Sequence, residues 1–384
     1  MRYYLVAGEA SGDLHGSLLT RELILQDPAA VIRFIGGDLM AAETGHTPFM
    51  HYRDMAFMGF LEVVKHLRTI FKNLARAEED ITAFKPNVVI LIDYPGFNLR
   101  LAKALHKLGL PVYYFISPKV WAWNERRVLK IKRDITHMFV IFSFEVDFYA
   151  RWGMKVDYVG NPLMDAIEEF RSGWKAEANQ FKPGTHLIPE MSTRPVIALL
   201  PGSRKQEISH VLLQMLAVVS DFDSYDFIVA KAPGLDPSFY LQFLARGTGH
   251  HVSLSAEKTY ELLSRSRAAL VTSGTATLET ALFKVPEVVL YKTSPISATI
   301  ARAVILVKFI SLVNLIMGKE VVKELIQADC TPVKIRYELG KILVDGVDRT
   351  RQLDDYELLA AKVGGPGAAA RAAKLMYHYL KEAQ

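Results

Sequence analysis

The sequence predicts an α/β protein of two doubly wound, Rossmann-like domains facing one another across a cleft. Three observations predict it. Short, almost continuously apolar runs such as "NVVILID" (87–93) and "PVYYFI" (111–116) alternate with amphipathic stretches. A sheet covered by helices on both faces requires that alternation. The pattern occurs twice, interrupted by a polar stretch at 168–194 that contains Gly173, Pro183, Gly184 and Pro189. Two of the apolar runs, ending near 200 and 272, pass through small residues straight into helical periodicity. In open α/β sheets ligands gather at such strand ends.

The elements follow in order. Residues 1–167 form the first domain, with strands expected at 2–7, 32–35, 87–93, 111–116, 137–142 and 156–159. Helical spacing of apolar residues marks 14–25, 58–77, 97–107 and 143–152. The polar stretch 168–194 reads as a linker. A second domain occupies 195–353: "PVIALLPGSR" (195–204), a helix at 205–220, "DFIVAKAP" (226–233), "HVSLS" (251–255), "RAALVTSGTATLE" (267–279) and "EVVLYKT" (287–293). Residues 354–384 are helical around a Gly-Gly-Pro-Gly break at 364–367 and are expected to pack back on the first domain.

Composition narrows the class. A chain of 384 residues that is 50% apolar can bury two cores. Its single cysteine, Cys330, rules out an internal disulfide and a thiolate metal cluster. The start, Met1-Arg2 followed by a strand, lacks the pattern of a secretory signal. The apolar segment 296–318 is interrupted by Arg302 and Lys308, so no membrane-spanning helix is expected. A net charge of +5 favours anionic partners without choosing among phosphosugars, acidic lipid and nucleic acid.

Five stretches can carry chemistry. In "LLPGSRKQEI" (199–208), Pro201-Gly202 turns the chain, Ser203 is placed to cap a helix with Gln206 completing a capping box, and Arg204 supplies a planar cation. The amides of that helix start suit a phosphate; an ordinary strand–turn–helix with a surface arginine reads equally well. In "VTSGTATLETAL" (271–282), Ser273, Gly274 and Thr275 offer donors, and Glu279 can accept from ribose hydroxyls or simply answer the helix dipole. In "ILIDYPGFNLRLA" (90–102), Asp93 ends an apolar strand, where it can act as a general base or cap the next helix; Asn98 and Arg100 follow. In "FISPKVWAWNERRVLKIK" (115–132), Trp121 and Trp123 sit beside Arg126, Arg127, Lys130 and Lys132, as a sugar platform or as core anchors of a basic helix. In 58–77, apolar residues at 60, 64, 67, 71 and 74 lie beside Lys65, Arg68, Lys72 and Arg76, which suits an anionic membrane surface or core packing. Asp221 and Asp223 form an aspartate-x-aspartate pair in a loop.

The opening stretch "VAGEASGDLHG" has glycines at 8, 12 and 16. That spacing matches neither a dinucleotide fingerprint nor a Walker loop. The anion-ready turns lie in the second domain and this loop on the half that carries Asp93, where Gly12 allows close approach and Ser11 and Asp13 are polar contacts.

In order, "AGEASGDLHG", "IDYPGFNLRLAK", "SPKVWAWNERRVLKIK", "VGNPLMDAI", "LLPGSRKQEI", "SGTATLE" and "LVNLIMGKEVVKELIQ" resemble the lipid-A-disaccharide synthases over residues 3 to about 330. The resemblance implies a GT-B type fold and a metal-free, cofactor-free, inverting transfer. The 2,3-diacylglucosaminyl group of UDP-2,3-diacylglucosamine would pass to the 6-hydroxyl of 2,3-diacylglucosamine 1-phosphate, giving a β-1,6 disaccharide 1-phosphate and UDP. It implies a location on the inner face of the cytoplasmic membrane and no nucleic-acid partner. Asp93 resembles the base position and Arg204 the phosphate-turn arginine; Gly202, Ser203, Ser273, Gly274, Thr275, Glu279 and Asn314 would line the UDP-sugar site, with Glu320 and Gln327 nearby. Ser11, Gly12, Asp13, Asn98 and Trp123 would line the acceptor side. "GNPL" at 160–163 stands where much of that family has a histidine. The alternatives are another UDP-sugar enzyme of this fold, such as a non-hydrolysing epimerase, or a non-enzymatic protein that binds anionic lipid. Whether the chain is a monomer or a homodimer is open at this point.

Overall fold

The computed structural model describes residues 1–55, 67–180, 194–232, 235–245, 251–255, 258–293 and 308–383. The chain divides into two compact units, Met1–Arg171 with Val363–Gln384, and Ser172–Lys362.

The first unit carries a sheet of β1 (Arg2–Ala7), β2 (Val31–Gly36), β3 (Met50–His51), β4 (Val88–Ile92), β5 (Val112–Phe115), β6 (His137–Val140) and β7 (Asp157–Tyr158). The strands are parallel, in the order β3-β2-β1-β4-β5-β6-β7. Tyr3–Ala7 and Val88–Ile92 are fully buried, which explains why these strands carry no polar alternation. Their side chains divide by parity between two cores. Tyr4, Val6, Val89 and Leu91 face one; Tyr3, Leu5, Val88, Ile90 and Ile92 face the other.

The second core is closed by Leu19 and Leu23 of helix Ala10–Gln26 and by Ala372, Ala373, Met376 and Leu380 of helix Ala368–Glu382. The alanines let the last helix lie close to the sheet. Asp165 fixes its start: the carboxylate accepts from the backbone N–H groups of Gly367, Ala368 and Ala369. Two expected boundaries move as a result. Position 354 falls inside helix Val347–Val363, and the chain changes units at 362–363. The stretch expected as linker from 168 begins as the continuation of helix Pro162–Gln180, whose Glu, Ala, Lys and Arg residues favour helix and tolerate Gly173. Residues 181–193 lie outside the described residues.

The second unit carries β8 (Val196–Leu200), β9 (Asp226–Val229), β10 (Val252–Leu254), β11 (Ser266–Thr272), β12 (Glu287–Tyr291) and β13 (Lys323–Ile326). They too are parallel, in the order β10-β9-β8-β11-β12-β13. The sequence reading assigned no strand to β3 or β13. The first has two residues, and the second, "KELI", mixes charge with apolar residues at the sheet edge. The helix expected at 58–77 is described from Leu67 and runs to Phe84; its earlier part lies outside the described residues.

Strand order decides where ligands can bind. Each sheet reverses its winding beside its first strand, between β1 and β4 and between β8 and β11. Beyond the carboxyl ends of such strand pairs the connecting loops part and leave a crevice. The turns 8–10 and 93–94 flank that point in the first unit, and 201–204 and 273–275 flank it in the second.

Candidate active site

In the first unit, Asp93 follows β4. Its N–H still donates to the Phe115 carbonyl at 3.0 Å, but its φ is +43° and that of Tyr94 is +47°. Ile116, at the end of the neighbouring strand, has φ +70°. Left-handed conformations in three non-glycine residues are unfavourable by about 1–3 kcal/mol each and persist only where the surroundings enforce them. Here they do. The Asp93 carbonyl accepts from Asn98 Nδ2 at 2.8 Å and from the Tyr114 hydroxyl at 2.5 Å. Asn98 Nδ2 also reaches the Ile92 carbonyl at 3.2 Å. The Tyr94 hydroxyl donates to the Met55 carbonyl at 2.9 Å, and its ring fills the space beside Gly8, where a Cβ would lie 2.0 Å from Cδ1. Gly8 is therefore required by the turn across the switch point.

Burial pushes the Asp93 carboxyl up to about 6; Glu9 adds to the rise and Lys119 opposes it. A carboxylate near neutrality at a strand end has the properties of a general base. Glu9 and Lys119 were not singled out from sequence. Glu9 sits within the glycine-rich opening, and its charge faces Asp93 only because β1 and β4 are neighbours.

The structure corrects several acceptor-side expectations. Asp13 is buried, and its carboxylate accepts from Gly37 N at 2.7 Å, Leu39 N at 3.1 Å and Met40 N at 3.2 Å. It caps helix Asp38–Thr44 and is spent as a ligand contact. Asn98 is fully buried, a brace for Asp93 rather than a sugar contact. Gly12 is buried against Ala7 within helix Ala10–Gln26. Ser11 Oγ donates to Glu9 Oε1 at 3.0 Å, so it orients a carboxylate whose charge reaches Asp93. Trp121 Nε1 donates to Glu145 at 3.1 Å; this carboxyl, raised by burial to about 7, also accepts from Ile141 N and Phe142 N. Trp121 is thus an anchor of the 117–124 segment. Trp123 closes the short helix Val120–Trp123, and its side chain lies outside the described residues.

In the second unit, β8 ends at Leu200 and Gly202 turns the chain with φ +105°. A Cβ there would sit 3.0 Å from Glu207 Oε2. The next helix starts at Lys205 with Arg204 in the capping position, and the Arg204 side chain does not cap it. The expected Ser203–Gln206 capping box is therefore absent, because the helix begins one residue later than that box needs. Ser203 is exposed. Arg204 is exposed and pairs with Glu207 at 2.8 Å. A helix start whose capping residue makes no cap bond, beside the Arg204 guanidinium, suits a diphosphate.

The second turn is built differently. Helix Thr275–Leu282 starts after Gly274, again with no side-chain cap. Ser273 Oγ donates to the Ile310 carbonyl at 3.0 Å, so its hydroxyl is engaged with the chain and only its acceptor capacity remains. Thr275 is half-buried at the helix start. Glu279, half-buried, accepts from the Tyr260 hydroxyl at 3.0 Å, and loss of hydration raises its carboxyl.

Asn314 is not a ligand contact. It is fully buried: Nδ2 donates to Val322 O at 2.9 Å and Glu324 Oε1 at 2.8 Å, and Oδ1 accepts from Val321 N at 2.7 Å and Val322 N at 3.0 Å. Every hydrogen-bonding position of its amide is filled. Glu324, unassigned from sequence, holds Ile310 N, Ser311 N and Ser311 Oγ as well. The pair thereby fixes the segment that Ser273 leans on. Glu320 is exposed and pairs with Lys323, and Gln327 accepts weakly from Thr293 N at 3.4 Å. Asp221 pairs with Arg336 at 3.0 Å. Among the described residues no group of three His, Cys, Asp or Glu is disposed to hold a metal ion, and no helix is long and apolar enough to cross a membrane.

Comparison with known proteins fits this geometry. The lipid-A-disaccharide synthetase family model matches residues 3–373. A lipid-A-disaccharide synthase of Syntrophus aciditrophicus is 38% identical over 98% of this chain and 97% of its own length. That of Geobacter metallireducens is 37% identical over 99% of this chain and 97% of its own. Among solved structures, a UDP-GlcNAc 2-epimerase from Neisseria meningitidis bound to UDP-GlcNAc superposes with TM-score 0.64 at 14% identity, covering all of both chains. The calicheamicin glycosyltransferase CalG4 does so with TM-score 0.58 at 17% identity, over 99% of this chain and 98% of its own. At those identities the structures share the fold alone, that of two parallel-sheet α/β domains of the GT-B type. The near-full-length match in sequence identifies the activity, and the chain belongs to the lipid-A-disaccharide synthase family of glycosyltransferases, which join a UDP-sugar donor to a lipid acceptor.

Proposed function

We propose that the donor is UDP-2,3-diacylglucosamine and the acceptor 2,3-diacylglucosamine 1-phosphate, joined with inversion into a β-1,6 disaccharide 1-phosphate. Asp93 takes the proton of the acceptor 6-hydroxyl. The hydroxyl oxygen bonds to the donor's anomeric carbon as the bond to UDP breaks, and the electron pair leaves on the diphosphate. Arg204 and the helix-start amides at Lys205 receive the charge that develops there; one such preorganised donor is worth about 10²–10³ in rate. The turn 273–275 supplies further donors, and the remaining acceptor capacity of Glu279 takes the ribose.

The observation that carries this reading is Asp93: a carboxyl held near 6 on an enforced turn at the switch point of the first sheet. The test is Asp93→Asn, which keeps size and removes basicity. Disaccharide formation should fall by about 10³-fold, within the 10²–10⁴ range of general acid–base catalysis, while UDP affinity stays within twofold. Wild-type turnover in this variant would refute Asp93 as the base.

Peripheral membrane contact through the stretch 58–77, of which the helix from Leu67 is described, belongs to the same reading. It is supported by Arg68, Phe71 and Lys72, exposed together on helix Leu67–Phe84, and by substrates that carry acyl chains. Flotation with anionic vesicles should weaken in Phe71→Ser combined with Lys72→Glu. Undiminished flotation would remove this contact from the proposal.

A further inference from the structure

We infer that Tyr114 is a positioning residue for the transfer reaction: its buried hydroxyl fixes the Asp93 carbonyl and thereby aims the Asp93 carboxylate. The inference rests on Asp93 being the base. It adds a residue that no motif marks, since Tyr114 stands in the middle of an apolar strand as one more core aromatic.

The geometry separates Tyr114 from its neighbours. Its ring is fully buried in the core with Val89, Leu91 and Val140, where a phenylalanine would serve equally for packing. Its hydroxyl donates to the Asp93 carbonyl at 2.5 Å. That carbonyl belongs to the first of two consecutive left-handed residues, so its direction sets the path by which the chain leaves β4. Asn98 reaches the same oxygen from the helix Pro95–Lys107, but Asn98 lies only five residues on and moves with the turn. Tyr114 comes from β5, which pairs with β4 through the register Leu91–Tyr114; it ties the carbonyl side of the turn to the sheet, as the Asp93 N–H bond to the Phe115 carbonyl ties the nitrogen. A left-handed aspartate relaxes readily once the contacts that enforce it are removed. The side chain would then swing by about an ångström or more, enough to cost roughly 10²-fold in a well-aligned reaction. Ser117 Oγ lies 2.7 Å from the Tyr149 hydroxyl and donates to the Pro118 carbonyl at 3.2 Å, so with Tyr149 donating to Ser117 neither proton is left for Asp93.

The test uses the full-length enzyme with Tyr114→Phe, which deletes one oxygen and keeps the ring. The expected result is a fall in kcat of about 10- to 100-fold, with donor KM and UDP affinity within threefold of wild type. The acid limb of kcat/KM should also move down from its wild-type position, because a freed carboxylate reaches water. In the Asp93→Asn background the same substitution should change the residual rate by less than twofold, since a residue that acts through the base has nothing left to aim.

Three results overturn the inference. If Tyr114→Phe turns over like wild type while Asp93→Asn does not, the base stands and Tyr114 does not position it. If the losses multiply in the double variant, Tyr114 acts elsewhere. If UDP affinity and thermal midpoint fall together with kcat, the hydroxyl serves the fold. A fully active Asp93→Asn would instead show that the reading beneath the inference is wrong, and would take the inference with it.

Discussion

Replacing Asn314 by alanine separates a structural staple from a ligand contact. In the wild type its amide satisfies Val321 N, Val322 N and Val322 O, and adds one donor to Glu324. The substitution leaves two buried N–H groups without acceptors, at about 1–3 kcal/mol each. Glu324 keeps Ile310 N, Ser311 N and Ser311 Oγ, so losing its fourth donor adds little. Water entering the vacated space offsets part of the sum, which leaves a loss of about 3 kcal/mol, against total stabilities of about 5–15 kcal/mol for a domain. Urea unfolding of the full chain, followed by a probe in the second unit, should show a lower midpoint. UDP affinity measured well below that midpoint should drop by less than threefold. Asn314→Asp sharpens the test. It keeps an acceptor for Val321 and Val322 but sets a second carboxylate where 2.8 Å now separates Nδ2 from Glu324. It should be less stable at pH 8 than at pH 5. An alanine variant of wild-type stability that no longer binds UDP would refute the staple and restore Asn314 as a ligand residue.

The remaining predictions concern Asp93 and the last helix. Activity should decline as the pH falls through about 6, where the Asp93 carboxyl takes up its proton. Glu9→Gln removes a charge that raises this carboxyl, so the acid limb should shift to lower pH; Lys119→Ala removes one that lowers it, so the limb should shift to higher pH. Opposite displacements in kcat/KM profiles support the grouping, and two unmoved profiles reject it. Asp165→Ala should destabilise the first unit by about 1–2 kcal/mol, the cost of a lost helix cap, and hasten protease cleavage near 364–367. Unchanged cleavage would mean that core packing alone holds the helix.

The two-domain α/β architecture was legible because it rests on local information. The apolar runs of β1, β4, β8 and β11 must be buried on both faces, and the periodicity of the intervening segments is helical. The glycines at 202 and 274 and the aspartate at 93 were legible for the same reason, since turn chemistry is written in a few adjacent residues. Roles that depend on which strands are neighbours were not. Asp13, Asn98 and Asn314 each look like a polar residue available to a substrate; Asp13 and Asn314 are consumed by backbone groups that only the folded chain brings within reach, and Asn98 is buried with its Nδ2 on the Ile92 and Asp93 carbonyls. Ser203 looks like a cap, but the helix starts too late for it. Conversely Glu9, Lys119, Tyr114 and Glu324 carry no local signature, because their partners lie on other elements.

The glycine-rich opening shows both halves of this. Sequence by itself determined that a strand runs into the glycines and that their spacing is no nucleotide fingerprint; the stretch expected as a loop before a helix at 14 is already helical from Ala10. The tertiary structure decided what the glycines are for. Gly8 makes room for the Tyr94 ring, Asp13 caps the neighbouring helix, and Glu9 stands in electrostatic reach of Asp93. The physical reason is strand order. Placing β1 beside β4 turns two loops far apart in the chain into one constellation, and hydrogen-bond capacity spent inside that constellation is no longer free for a substrate.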